Sequence, residues 1–277
     1  MKKTKVKIPA KINLTLDVSG KENGFHNLKS LVASINLYDA ITLCKNNSGK
    51  ITIREKGIKA GCKPEENNAY KTAKIILDKF QGFGVDILIQ KQIPVGAGLG
   101  GSSADIAGVL VGLDMFLGGT LDLYSLAKSL GSDVNYMMSG GYAVLNGKGD
   151  DVEYLGVDKK LYLIILTAKS PITAKDCFKK FDEENTLENP ATNLAVDLLI
   201  KGDEKFLSVL KNDLYIPAIK LLPEIEENYK LLSCYGNAVM TGSGNAVLGV
   251  YYTKKERDGV CKKLKKKKIK FIKAETI

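Results

Sequence analysis

Apolar and polar positions alternate from the start of the chain, with Val6 and Ile8, then Ile12, Leu14, Leu16 and Val18, on one side of the alternation. A period of two marks strands with one buried face, so the opening residues predict two β-strands. Leu28 to Ile41 and Ile51 to Ile53 continue this β-rich start. Over Ala69 to Phe80 the spacing becomes helical, and Gly82 ends that helix. Val85 to Gln90 predicts a short strand with a glycine-rich stretch close behind it. From Ser102 to Leu117, Ile106, Val109, Leu110, Leu113 and Phe116 fall on one helical face, with Ser102 or Ser103 as a natural N-cap.

The second half opens on the apolar strand Leu161 to Leu166. Helical spacing follows near Ala174 to Phe181, Asn193 to Ile200 and Leu222 to Leu232, and late strands flank Met240 and cover Val247 to Tyr252. Strands and helices mix without regular βαβ alternation, which predicts an α+β protein of two lobes. With no repeat or low-complexity linker to mark a boundary, we place the division at residues 1–157 and 158–277.

Charge changes this picture only at the end of the chain. Of the net +10, the stretch from Lys254 to Lys273 carries +9, eleven Lys/Arg against Glu256 and Asp258, which leaves +1 for the rest. A basic tail could grip an anionic surface. Leu264, Ile269, Phe271 and Ile272 interrupt the lysines, however, as in a solvated helix face followed by a final strand. The near-neutral remainder argues against nucleic acid as a partner. No apolar run approaches the roughly eighteen residues of a membrane span, and the opening MKKTKVKIPAKINLTL has no continuous apolar core, so we expect a soluble cytoplasmic protein. Five scattered cysteines with no C-x-x-C pair, beside a single histidine, argue against zinc and disulfide frameworks and read as small buried hydrophobes.

The chemistry concentrates in Pro94-Val95-Gly96-Ala97-Gly98-Leu99-Gly100-Gly101-Ser102-Ser103-Ala104, between a predicted strand and a predicted helix. Glycines permit positive φ, so successive amides can turn inward on an anion, and the following helix adds its positive end. The two serines add hydroxyls for phosphate or a magnesium ion. Gly96, Gly98 and Gly101 also fit the spacing of a dinucleotide fold, but no second strand ending in an acidic residue follows Gly118 to Tyr124. A Walker loop fails because no Lys-Ser/Thr follows the glycines, and a bare glycine turn leaves the serines and the helix start unexplained.

The stretch resembles the second motif of the GHMP kinases, P-x-x-x-G-L-G-x-S-S-A, and its companions are present in order. Pro9 to Leu14 resembles the first motif of the diphosphocytidyl-methylerythritol kinases, and Asn23-Gly-Phe-His26 their D-G-Y-H. Leu130 to Val134, Gly140 to Gly147, Asn212 to Leu214, Leu222 to Ile225 and Met240 to Gly244 match later anchors.

The resemblance implies a two-lobed fold, with an N-terminal lobe like ribosomal protein S5 and a C-terminal α/β sandwich. It also implies ATP and Mg²⁺ as cofactors, and a cytidine diphosphate derivative of the methylerythritol phosphate route to isoprenoids as substrate, acted on by a monomer or homodimer. It places the ATP phosphates on Gly96 to Ser103, Mg²⁺ near Ser102 or Ser103, and the adenine side near Asn68. Asp133 falls on the catalytic aspartate and Lys11 on the catalytic lysine. On residue type alone, Lys11 reads as a strand surface residue and Asp133 as a helix N-cap. His26 falls on the residue that reads the cytosine, Phe25 on the aromatic stacked upon it, and Asn13 on a contact to the methylerythritol or phosphate part. Thr173 matches the post-proline Ser/Thr region loosely.

Phe25 stands where the family usually has tyrosine, the glycine loop carries one glycine fewer than many members, and Asn135-Tyr136-Met137 replaces Pro-Phe-Phe. Two rivals stand beside this reading: a GHMP kinase acting on homoserine or mevalonate, and a non-catalytic nucleotide- or RNA-binding protein on the same fold.

Overall fold

Alternation is realised in the computed structural model, which describes residues 2–22, 24–80, 82–184 and 190–277, as strands β1 (Lys3–Asn13), β2 (Thr15–Glu22), β3 (Phe25–Asn46) and β4 (Ile51–Gly57). Helix α1 (Asn68–Leu77), strand β5 (Gly84–Lys91) and helix α2 (Gly101–Leu117) follow. Next come α3 (Leu123–Leu130), α4 (Val134–Ser139), β6 (Tyr142–Gly147), β7 (Asp151–Tyr154) and β8 (Tyr162–Thr167). The chain continues through α5 (Ala174–Glu183), α6 (Thr192–Lys201), β9 (Lys211–Asn212), α7 (Tyr215–Leu221) and α8 (Glu224–Ser233). It ends with β10 (Asn237–Met240), β11 (Ala246–Tyr251), α9 (Lys254–Lys266) and β12 (Ile272–Glu275).

These elements condense into two compact units, each assembled from separated stretches. The first comprises Met1–Ala10, Leu37–Val95 and Gly100–Gly140; the second comprises Lys11–Asn36, Gly96–Leu99 and Gly141–Ile277. The chain therefore passes between units inside β1, inside β3, twice within the glycine loop and once more between α4 and β6.

In the first unit the later part of β3 pairs antiparallel with β5, Ile41 opposite Ile89 and Leu43 opposite Ile87, and β4 pairs parallel with β5. Helix α2 covers this sheet. Gly108 and Gly112, one turn apart, let it approach closely, since a Cβ at Gly108 would lie 2.5 Å from Ile41 Cδ1 and one at Gly112 would overlap Leu43. Ile106, Val109, Leu110, Leu113 and Phe116 are buried, as the spacing predicts. The expected serine cap is corrected: Gly100, at φ 75°, is the N-cap, and Ser102 and Ser103 lie inside the first turn.

In the second unit the early part of β3 pairs with β2 and β6, while β8 is flanked by β11 and β12 in an antiparallel sheet. Its core joins Leu16, Val18, Ile164, Leu166, Leu214, Ile225, Val247 and Leu264. The basic tail forms the solvated helix α9, closed at its start by a Thr253/Glu256 capping box, and the final strand β12. Arg257, buried on α9, donates to the Ala274 carbonyl at 3.0 Å. No helix among the described residues is long and apolar enough to cross a membrane.

Candidate active site

The glycine loop alternates its backbone hand, with φ of 69° at Gly96, 80° at Gly98 and 75° at Gly100, values that side-chain-bearing residues rarely adopt. Four of its carbonyls are engaged. Those of Gly96, Ala97 and Leu99 accept from the amides of Asn245, Ala246 and Lys11, and that of Gly100 accepts from Ala104 as the first bond of α2. The amides from Gly96 to Ser103, by contrast, donate to no acceptor among the described residues. Free amides at the start of α2 in the first unit, and free amides on Gly96–Leu99 in the second, are each of the kind that binds an anion.

In the second unit, the loop segment Gly96–Leu99 is strapped to the Thr241–Asn245 stretch that resembles the third motif. A Cβ at Gly98 would run into the Thr241 carbonyl oxygen and lie 3.0 Å from Gly244 N, and one at Gly242 would lie 2.7 Å from Gly98 O. Asn212 holds this stretch from behind, donating to the carbonyls of Met240 at 2.9 Å and Gly242 at 2.8 Å while accepting from Leu214 N at 2.9 Å. Asn245 donates to the carbonyls of Ala168 and Ser170 at 3.0 and 2.6 Å. Asn212→Leu conserves volume but orphans three buried backbone groups, so urea titration should show a loss of about 2–4 kcal/mol in unfolding free energy. A loss under about 0.5 kcal/mol would contradict this role.

Lys11 and Asn13 also converge on that segment. Lys11 is only 6% exposed, which corrects the surface reading of its residue type. Its Nζ donates to Asn13 Oδ1 at 2.6 Å, and Asn13 Nδ2 donates to Ser30 Oγ at 2.6 Å. Asn13 N donates to Thr241 Oγ1 at 2.7 Å.

Phe25 and His26, adjacent on β3, serve different groups. Phe25 is exposed, with the Lys148 ammonium 4.1 Å from its ring centroid. His26 stacks on Phe178 of α5 at 5.0 Å, meets Phe181 edge-on, and bonds Asp182 Oδ1 through Nε2 at 2.7 Å. Lys21 first, and His26 with it, hold the Asp182 carboxyl below its ordinary range. Asn23, from the same motif, lies outside the described residues. Thr173 is the N-cap of α5, accepting from Asp176 N.

The first unit holds Asn68, Ser102, Ser103 and Asp133. Asn68 opens α1 and donates to Ser102 Oγ at 2.8 Å, so the expected adenine-side and metal-side residues meet. Asp133 occupies the N-cap position of α4, as residue type suggests, but its carboxylate caps none of that helix's amides. Lys11 and Asp133 belong to different units.

Sequence reading missed the buried group beneath the loop, where Lys91 Nζ bonds Asp39 at 2.5 Å and Asp105 at 2.6 Å. Burial works against the Lys91 ammonium, but Asp105 and Asp39 outweigh it and hold its pKa above the ordinary lysine value. Burial raises the Asp105 carboxyl against the pull of Lys91. The buried reading of the cysteines is corrected at Cys62 and Cys234, which are exposed; Cys177 is buried, with its thiol pushed up to about 12, which leaves it no nucleophilic role at neutral pH.

The free amides and the helix start suit a triphosphate. Among the described residues no group of three or more His, Cys, Asp or Glu could hold a metal ion. The hydroxyls of Ser102 and Ser103 would suit an ion held largely by phosphate oxygens and water.

Residues 67–147 match the model of the GHMP kinases N terminal domain. The chain is 34% identical to the 4-diphosphocytidyl-2-C-methyl-D-erythritol kinase of Desulfitobacterium hafniense (strain Y51), over 91% of this chain and 88% of that one. With the enzyme of that name from Clostridium tetani (strain Massachusetts / E88) it shares 32% identity over 95% and 96%. A solved 4-(cytidine 5'-diphospho)-2C-methyl-D-erythritol kinase superposes with a TM-score of 0.82 at 28% identity, covering 98% of both chains. A solved L. major mevalonate kinase, at 16% identity and a TM-score of 0.78, shares the fold. Likeness of this degree along nearly the whole length places the chain in the 4-diphosphocytidyl-2-C-methyl-D-erythritol kinase family of the GHMP kinases.

Proposed function

We propose that this chain transfers the γ-phosphoryl group of ATP to the 2-hydroxyl of 4-diphosphocytidyl-2-C-methyl-D-erythritol, a step toward isoprenoid precursors in the methylerythritol phosphate pathway. One observation carries the nucleotide half of this reading: the carbonyls of Gly96, Ala97, Leu99 and Gly100 are bonded to protein, while the amides from Gly96 to Ser103 donate to no acceptor among the described residues. Phosphoryl transfer asks a protein chiefly for positioning and charge neutralisation, and a fixed row of amides at a helix start supplies both.

The remaining roles follow the family resemblance. Asn68 binds on the adenine side, and Pro94 to Ala104 enclose the phosphate chain. Asp133 accepts the proton of the attacking hydroxyl as that oxygen bonds the γ-phosphorus and the bond from this phosphorus to the β-phosphate oxygen breaks, releasing ADP. Lys11, kept in place by Asn13, favours loss of that proton by its positive charge. Mg²⁺, when bound near Ser102 or Ser103, neutralises charge on the β- and γ-phosphate oxygens. Phe25 offers a ring face to the cytosine and His26 reads its edge. The exposure of Phe25 leaves that ring available for stacking.

Purified protein supplied with ATP, Mg²⁺ and diphosphocytidyl-methylerythritol should release ADP and a singly phosphorylated product. Turnover of homoserine or mevalonate, with none of the cytidyl compound, would overturn the substrate assignment.

A further inference from the structure

Lys91, Asp39 and Asp105 have no part in the roles above, yet they are the most deeply buried charges of the first unit, their side chains 3%, 0% and 6% exposed. Lys91 ends β5, Asp39 lies on β3, and Asp105 begins the second turn of α2. Lys91 Nζ donates to Asp39 Oδ2 at 2.5 Å, to Asp105 Oδ2 at 2.6 Å and to the Gly101 carbonyl at 3.3 Å. Asp39 Oδ1 accepts from the amides of Gln92 at 2.6 Å and Ile93 at 2.9 Å, the last two residues before Pro94. Asp105 Oδ1 has no partner among the described residues. Charges so buried rarely earn their place through stability, because well-packed apolar side chains of similar volume do as well. What this group does, and an apolar cluster could not, is bond directionally to the backbone on both sides of the glycine loop.

We propose that Lys91, Asp39 and Asp105 are positioning residues of the phosphate loop. Through Asp39 they fix the chain entering it, and through Asp105 and the Gly101 carbonyl they fix the helix start leaving it. The free amides of the loop are thereby preset for a phosphate chain before nucleotide arrives, which spares binding the cost of ordering them. The inference rests on the loop being the phosphate site.

Charge alone predicts the opposite effect, and that makes the inference testable. Removing a carboxylate near a polyanion strengthens binding electrostatically, whereas releasing a positioned helix start weakens it. Asp105→Leu is the variant of choice, because Lys91 and Asp39 remain paired. Steady-state kinetics should show KM for ATP raised about tenfold or more, since small displacements of a binding group have large effects. KM for the alcohol substrate, and kcat at saturating ATP, should stay within about threefold of the parent. Asp105→Asn, whose side-chain oxygen still accepts from Lys91, should remain near the parent in all three.

Should the leucine variant fail to fold by circular dichroism, Asp105→Ala takes its place with the same expectations. A folded variant with unchanged or lowered KM for ATP, or with all three constants shifted together, overturns the inference. So does an asparagine variant as impaired as the leucine one. Gly98→Ala, run in parallel, separates the two claims: if it too leaves KM for ATP unchanged, the phosphate-loop reading itself falls.

Discussion

Asp133→Asn should reduce kcat by about 10²–10⁴-fold, or about 3–5 kcal/mol of activation free energy, while the dissociation constant for ATP stays within about threefold. An amide matches the carboxylate in size but cannot accept the hydroxyl proton, so chemistry is lost and shape is kept. Residue 133 is only partly buried at the start of α4, which packs against α2 and α3, and its side chain caps none of that helix's amides. The substitution therefore costs that helix no cap. Single-turnover mixing with saturating ATP isolates the chemical step. A variant within about threefold of the parent in that assay would remove Asp133 from the reaction, and so would one that has simply lost ATP.

Gly98→Ala is the second large effect, and it should act on binding. A left-handed residue bearing a Cβ costs about 1–2 kcal/mol at φ 80°, and here the new Cβ also collides with the Thr241 carbonyl and approaches Gly244 N to 3.0 Å. Moving the loop off the Thr241–Asn245 stretch relieves the clash and displaces the amides of the proposed phosphate site. KM for ATP should rise by about 10²-fold. Gly118→Ala provides the control. It has the same backbone hand, φ 79°, but open space around it, at the far end of α2. It should cost about 1–2 kcal/mol of stability and leave KM for ATP alone. Equal effects of the two substitutions on KM would show that the response follows helix strain and not the loop.

The parts of the molecule that sequence reading captured are those with a local cause. Helix α2 declares itself through apolar residues at helical spacing, and the loop through glycines whose freedom the backbone uses. The cap of α2 was misread because serine is the commoner device there, while a left-handed glycine leaves no trace beyond its own identity. Helices α4 and α7 span 6 and 7 residues, too few turns for a period to emerge, and Pro217 inside α7 reads as a breaker although it sits harmlessly in the first turn. The alternation of units along the chain has no local cause at all, because a strand such as β3 serves both with one continuous pattern. Long-range polar partners are equally silent: Asp39 and Lys91 are 52 residues apart, and Asn212 reaches Gly242 across 30. Asn212 lay in a recognised motif, so its presence was legible and its work was not.

The central claim is that the loop amides hold a nucleotide's phosphates, and a crystal structure with a non-hydrolysable ATP analogue and Mg²⁺ tests it most directly. The account predicts phosphate oxygens about 2.7–3.2 Å from several amides between Gly96 and Ser103. An ordered analogue whose phosphates bind elsewhere, leaving those amides to water, would contradict it.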